Sequence, residues 1–231
     1  MKEVQWFAWC VNLPLQVALL HSLFRGGFRN FPVLLPYSLI LFLWTVANIA
    51  AREGGRLPLA WERVYWVVEL ILDWLLYALI LSLVRRAVRQ SPNRAKILRW
   101  LIIAVGLFLL AALYLTRDPR PNEWMTNFTK YVAFFGALLN LVLWAALVGK
   151  RHADRGVLMI SGGYGISSAG QAISHSLRSL AIQNRSYTIL NTGNLIGVLT
   201  HTLCVVIWWR AVARENAERA ARPLTAVSPK E

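Results

Sequence analysis

Seven apolar stretches dominate this sequence, at about 4–24, 31–51, 59–84, 97–115, 125–149, 157–182 and 187–213. Each is bounded by charged or turn-forming residues. Each also reaches the roughly 17–25 residues that an α-helix needs to cross about 30 Å of hydrocarbon. A bilayer offers the backbone no hydrogen-bond partners, so such segments must be helices that satisfy their own amides and carbonyls. The connecting segments are too short to hold a folded extramembrane domain. The expectation is an all-α polytopic membrane protein: residues 1–213 form a single seven-helix transmembrane bundle and residues 214–231 a short cytoplasmic tail. The 57% hydrophobic and 16% charged residues agree with that class and exclude a soluble globular domain. The first stretch reads as a retained helix, because Met1-Lys2-Glu3 is not a positive leader and no small-residue cleavage site follows His21-Ser22.

Charge sets the expected orientation. Of the 25 Lys and Arg, sixteen fall in the first, third and fifth connections and the tail, and nine on the other side, where Arg52, Arg56 and Arg63 oppose the trend. Basic residues in short loops are retained in the cytoplasm. The amino terminus is therefore expected outside and the carboxyl terminus in the cytoplasm, in the cell (inner) membrane. The net charge of +14 thus becomes a topological signal. Its densest run, Arg85 to Arg99, fits anionic lipid headgroups on the cytoplasmic side. No groove-entering element accompanies it, so nucleic acid is not an expected partner.

Polar residues inside the stretches recur at helical spacing. Gln5, Asn12 and Gln16 share a face of the first, Tyr37, Trp44 and Asn48 of the second, and Trp66, Glu69, Asp73 and Tyr77 of the third. Gly136, Asn140 and Trp144 align on the fifth, Tyr164, Ser168, Gln171, His175 and Arg178 on the sixth, and Asn191, Asn194 and His201 lie on the seventh. The fourth has no polar stripe and is expected to face lipid. Counting about 1.5 Å per residue from the outer end puts Arg178, His175, Asn194, Trp44, Asn12 and Glu69 in an outer layer about 6–13 Å deep. Asp73, Gln16, His201, Tyr37 and Asn140 fall about 18–22 Å deep, with His21 deeper still.

An acid at the centre of a bilayer costs about 2.5–3.5 kcal/mol, so Glu69 and Asp73 need partners or a task. One reading is an outward-opening ligand pocket around Glu69, His175 and Arg178. A second is a titratable relay from Glu69 through Asp73 and His201 to His21. A third makes them interhelical hydrogen bonds that fix register, with Asp73 facing His201. For Asn12, Gln16 and Asn140 this structural reading leads. The small-residue run Ser161–Gly170 suggests close helix packing at Ser161, Gly165 and Ala169, not a phosphate loop, since no strand precedes it and no lysine follows. Pro14, beside Asn12 and Gln16, could kink the first helix and widen the pocket.

Known site chemistries find little purchase. Cys10 and Cys204 lie near opposite faces and form no framework. The sequons at Asn127 and Asn184 are short patterns that arise by chance. No HExxH, paired-aspartate metal motif or Gly-x-Ser-x-Gly nucleophile is present, so no catalytic residue is assigned and an enzyme is not expected. His175 and His201 differ by about 11 Å in depth and would not share a haem iron, whereas His21 and His201 are nearer in level and stay open to that role.

Seven helices with the amino terminus outside and carboxylates on the third are similar in outline to microbial rhodopsins. Those bind retinal through a lysine in the seventh helix, whereas Lys2, Lys96, Lys130, Lys150 and Lys230 all lie outside it. The leading functional expectation is a non-enzymatic module that binds a small ligand or hydrophobic cofactor through Glu69, Asp73, His175, Arg178, His201, Asn12, Gln16, Asn194, Gln171, Tyr164 and Trp44. It would serve as a sensor or as an accessory subunit, with a membrane-protein partner or a second copy of itself. Arg210–Arg222, with Glu215–Arg219 and Glu218–Arg222 spaced for pairing, would dock that partner or stand as a solvated helix end. The alternative is a proton- or ion-coupled transporter or channel using Glu69 and Asp73.

Overall fold

The computed structural model describes residues 2–53, 61–88, 93–116, 121–148 and 154–221. Among them are seven α-helices: α1 (Lys2–Phe24), α2 (Leu34–Glu53), α3 (Trp61–Ala87), α4 (Arg94–Leu115), α5 (Pro121–Val148), α6 (Arg155–Asn184) and α7 (Tyr187–Ala221). A 3-10 turn, η1 (Gly27–Arg29), joins α1 to α2. The chain is a multi-pass helical membrane protein: α2, α3, α4, α5 and α7 contain apolar windows long enough to cross a bilayer. The apolar part of α1, Trp9–Phe24, is shorter, and α6 falls outside that group because glycine and serine dilute its hydropathy.

Helix boundaries follow local chemistry. Proline opens α5, where its missing amide is one that the first turn leaves unpaired in any case. Gly26 ends α1 with φ +127°, a conformation open to glycine and closed to most other residues. Pro14 lies inside an α1 that remains helical on both sides of it. The overshoot of α7, eight residues past the apolar boundary at 213, comes from polar contacts. Asn216 Nδ2 donates to the Ser22 carbonyl at 2.7 Å, Arg219 Nη1 to the Gly26 carbonyl at 2.9 Å, and Arg219 Nη2 to Asn30 Oδ1.

Six helices close a ring in the order α1, α2, α3, α5, α6, α7 and back to α1, and α4 lies outside it, packed against α3 and α5. The sequence reading of a peripheral fourth helix agrees with this packing: α4 buries Val105 and Ala112, while Leu110 and Leu115 are 65% and 71% exposed. The closest seam is α6 against α7. A Cβ on Gly163 would sit 2.8 Å from Trp208 Nε1, and one on Gly170 would land on the Thr200 side chain. The expected small-residue face was Ser161, Gly165 and Ala169. Of these, Ser161 is buried, Gly165 packs against Asn140 of α5, and Ala169 is exposed, so the α7 seam is carried by Gly163 and Gly170 instead.

The half of the ring nearest η1 is filled by an apolar core that includes Leu19, Leu23, Leu79, Ile80, Leu83, Ile160, Val205 and Trp208. Trp208 donates its indole N–H to the Ile160 carbonyl at 2.8 Å and meets Tyr37 edge to face at 5.5 Å. Both of its polar and aromatic preferences are satisfied without water. At the η1 end, Arg86 of α3 reaches Asp154 at 2.7 Å and Glu215 at 3.0 Å, and its guanidinium lies 5.0 Å from the centre of the Phe31 ring. Glu215 therefore pairs across the bundle and not with Arg219. Glu218 pairs with Arg214, one turn earlier, at 2.8 Å, and Arg222 lies outside the described residues.

Candidate functional site

The stripes converge in the other half of the ring. A cavity of about 230 Å³ is lined by Asn12 of α1, by Tyr65, Glu69 and Asp73 of α3, and by Thr129 of α5. Gln171, Ser174, His175 and Arg178 of α6 and Asn194, Gly197, Val198 and His201 of α7 complete the wall. Eight sequence candidates thus share one wall: Asn12, Glu69, Asp73, Gln171, His175, Arg178, Asn194 and His201. Helical geometry produces this. Glu69 and Asp73 are one turn apart on α3, while Gln171, His175 and Arg178 are spaced four and three on α6, so each set projects from one face.

Several of these side chains are held by neighbours. Arg178 Nε donates to Asn194 Oδ1 at 2.8 Å, which fixes the guanidinium across the α6–α7 seam. The Thr202 hydroxyl is 3.0 Å from Asn12 Oδ1 and 2.8 Å from the Val198 carbonyl, either of which can accept its proton. Tyr65 lies one turn before Glu69 on the same wall. Glu69 and Arg178 line the same cavity without forming an ion pair, and Asp73 makes no bond to His201; its Oδ2 is buried and has no hydrogen-bond partner. The two depth layers expected from the sequence are therefore one space.

Three candidates lie elsewhere. Gln16, one turn beyond Asn12, is buried in the α1–α2 seam with Nε2 3.4 Å from Thr45 Oγ1 and Oε1 without a partner. Tyr164 belongs to the apolar core and packs its hydroxyl against Gly136. Trp44 stacks on Trp61 at 5.4 Å and lies 5.9 Å from Tyr65, so it borders the site through that tyrosine. His21 is exposed and is not part of the cavity wall, which leaves the expected relay without its last member. The side chains of Gln5 and Trp66 lie outside the described residues.

The sequence reading passed over Tyr65, Thr129 and Ser174. Each had a signal: Tyr65 is one turn before Glu69, Thr129 is seven residues before Gly136 on the stripe of α5, and Ser174 lies between Gln171 and Arg178 at three and four residues. Among the described residues no group of three or more His, Cys, Asp or Glu is placed to hold a metal ion. The cavity offers two carboxylates, one guanidinium, two imidazoles and several amides and hydroxyls, a set that can orient a small polar molecule by charge and hydrogen bonding. The chain matches no protein-family model, and no curated protein or solved structure gives a significant match to it.

Proposed function

We propose that the chain is a seven-span protein of the cell membrane, with its amino terminus outside and its carboxyl terminus in the cytoplasm. Its cavity binds a small polar ligand bearing a cationic group, and the protein acts as a sensor or as an accessory subunit of a membrane complex. The observation that carries this reading is the meeting of Glu69, Asp73, His175, Arg178 and His201 on the wall of one largely polar cavity. Two acids at membrane depth are costly, and a ligand ammonium held between them would offset that cost. Two carboxylates against one guanidinium leave the wall with a formal charge of −1 when both histidines are neutral, which a monocation balances.

Size narrows the ligand further. About 230 Å³ corresponds to seven or eight water volumes at about 30 Å³ each, and is below the roughly 300–1,000 Å³ of pockets for drug-sized molecules. That size and the polar lining favour the small ligand over the hydrophobic cofactor. The direct test is thermal unfolding of the purified protein in mild detergent against a panel of small amines and amino acids. A ligand at 100 times its Kd stabilises by about 2.7 kcal/mol. The expected result is a shift with at least one amine that Asp73→Asn abolishes. A panel without any shift, or equal shifts in parent and variant, refutes the reading.

A second reading, a proton- or ion-coupled path, is favoured by Glu69, Asp73 and His201 lining one space. The apolar core between that space and the η1 end, and the exposure of His21, weigh against continuous conduction. Flux into liposomes that Glu69→Gln or Asp73→Asn removes would favour it over binding alone.

A further inference from the structure

A second, larger concavity lies on the bilayer-facing side, in the angle between α4 and the α3–α5 seam. Its volume is about 650 Å³ and its walls are almost wholly apolar, with Val84 of α3, Ala104 of α4 and Leu139 and Val142 of α5 among them. At the end nearest the start of α4 it is lined by Lys96 and Trp100. Lys96 is exposed and pairs with no described residue, and Trp100 is 64% exposed. From Lys96 to Ala104 is eight residues, about 12 Å along the helix, so the groove runs from headgroup depth into the hydrocarbon.

From this geometry we infer that the groove is a binding site for one anionic phospholipid, with an acyl chain against Val84, Ala104, Leu139 and Val142 and the phosphate on Lys96. Charge complementarity selects the occupant. The groove ends at an ammonium that pairs with no described residue, with Arg94 and Arg99 close by in sequence on the same helix, and the interfacial Trp100 marks the level at which lipid phosphates lie. The groove also needs an occupant for packing reasons. Here α4 stands off the ring, and an acyl chain seated in the angle gains dispersion contacts with three helices at once. The site is separate from the polar cavity and independent of what that cavity binds.

The test is native mass spectrometry of the full chain in mild detergent, given equal amounts of phosphatidylglycerol and phosphatidylcholine with matched chains. The parent is expected to retain one phosphatidylglycerol in preference. Lys96→Gln should lower that preference about fivefold, the equivalent of one basic residue near an anionic surface. Val142→Trp and Ala104→Trp, both at exposed positions that leave the ring core untouched, should reduce retention of either lipid. No retained lipid in the parent, equal retention of the two lipids, or retention unchanged in both tryptophan variants would overturn the inference.

Discussion

Replacing Gly163 with alanine sets helix propensity against packing, and the structure decides which prevails. Propensity alone favours alanine over glycine inside a helix by up to about 1 kcal/mol. At Gly163 the added Cβ would stand 2.8 Å from Trp208 Nε1, 2.9 Å from Trp208 Cδ1 and 3.3 Å from the Cys204 carbonyl. Trp208 cannot yield cheaply, because it is fully buried, donates to the Ile160 carbonyl and meets the Tyr37 ring edge-on. Overpacking costs about 1–3 kcal/mol. A displaced indole N–H adds about 1 kcal/mol for the lost hydrogen bond. After subtracting the propensity gain, Gly163→Ala is expected to destabilise by about 1–3 kcal/mol. The internal control is Gly106 of α4, where an added Cβ meets nothing within 4 Å, so that Gly106→Ala keeps the propensity gain. Thermal unfolding in one detergent, followed by tryptophan fluorescence, should show the two variants moving in opposite directions. At about 2–4 °C per kcal/mol for a chain of this length, the gap should be several degrees. Equal stability of the two variants would refute the α6–α7 seam as drawn.

Arg86→Gln should loosen the last turns of α7, because Glu215 is left partly buried without a cation; a loss of about 1–2 kcal/mol is expected, most of it from Glu215, since Asp154 is 42% exposed. Faster tryptic cleavage at Arg210 and Arg214 would show it, and an unchanged cleavage rate would dismiss the clasp. Asp73→Leu should raise stability by about 2–3 kcal/mol, because it removes a carboxylate that has an unpartnered oxygen. Destabilisation would instead reveal a partner for that group. For orientation, Gln183→Cys in a cysteine-free background should react with an impermeant maleimide on intact cells, and Ala95→Cys only after permeabilisation; the reverse pattern would invert the proposed topology.

Seven helices were legible because the constraint that makes them is local: a run of apolar side chains in lipid has no alternative to the helix. The end of α7 was not. Asn216 and Arg219 belong to a polar stretch, and what they bond are the carbonyls of Ser22, in the last turn of α1, and of Gly26 just after it, nearly two hundred residues away in sequence. The polar cavity lies between these cases. Spacing of three and four identified which residues share a face of one helix, and eight of them meet on one wall. It could not show which neighbour each face meets. Asn12 and Gln16 share a stripe, yet one turn along α1 exchanges the cavity for the α2 seam and Thr45.

Depth misled at Glu69 and Asp73 for a related reason. One turn of helix separates them by about 6 Å, and counting residues assigns the two acids to separate layers. The count assumes that each layer is filled by its own side chains. Here the Trp208 and Thr200 side chains of α7 pack directly onto Gly163 and Gly170 of α6, which draws the two helices together. The glycines and serines that permit this also supply no bulk to divide the space above, where Ser174 and Gly197 line the wall. The same small residues that hold α6 outside the group of long apolar helices therefore join two polar layers into one cavity. Below it, Trp208 is clamped over Gly163 and the leucine core begins, so the polar space stops where the glycine seam ends. At Gly197, likewise, an added Cβ would stand 3.0 Å from Ser174 Oγ, so the close approach of α6 and α7 continues along the cavity wall.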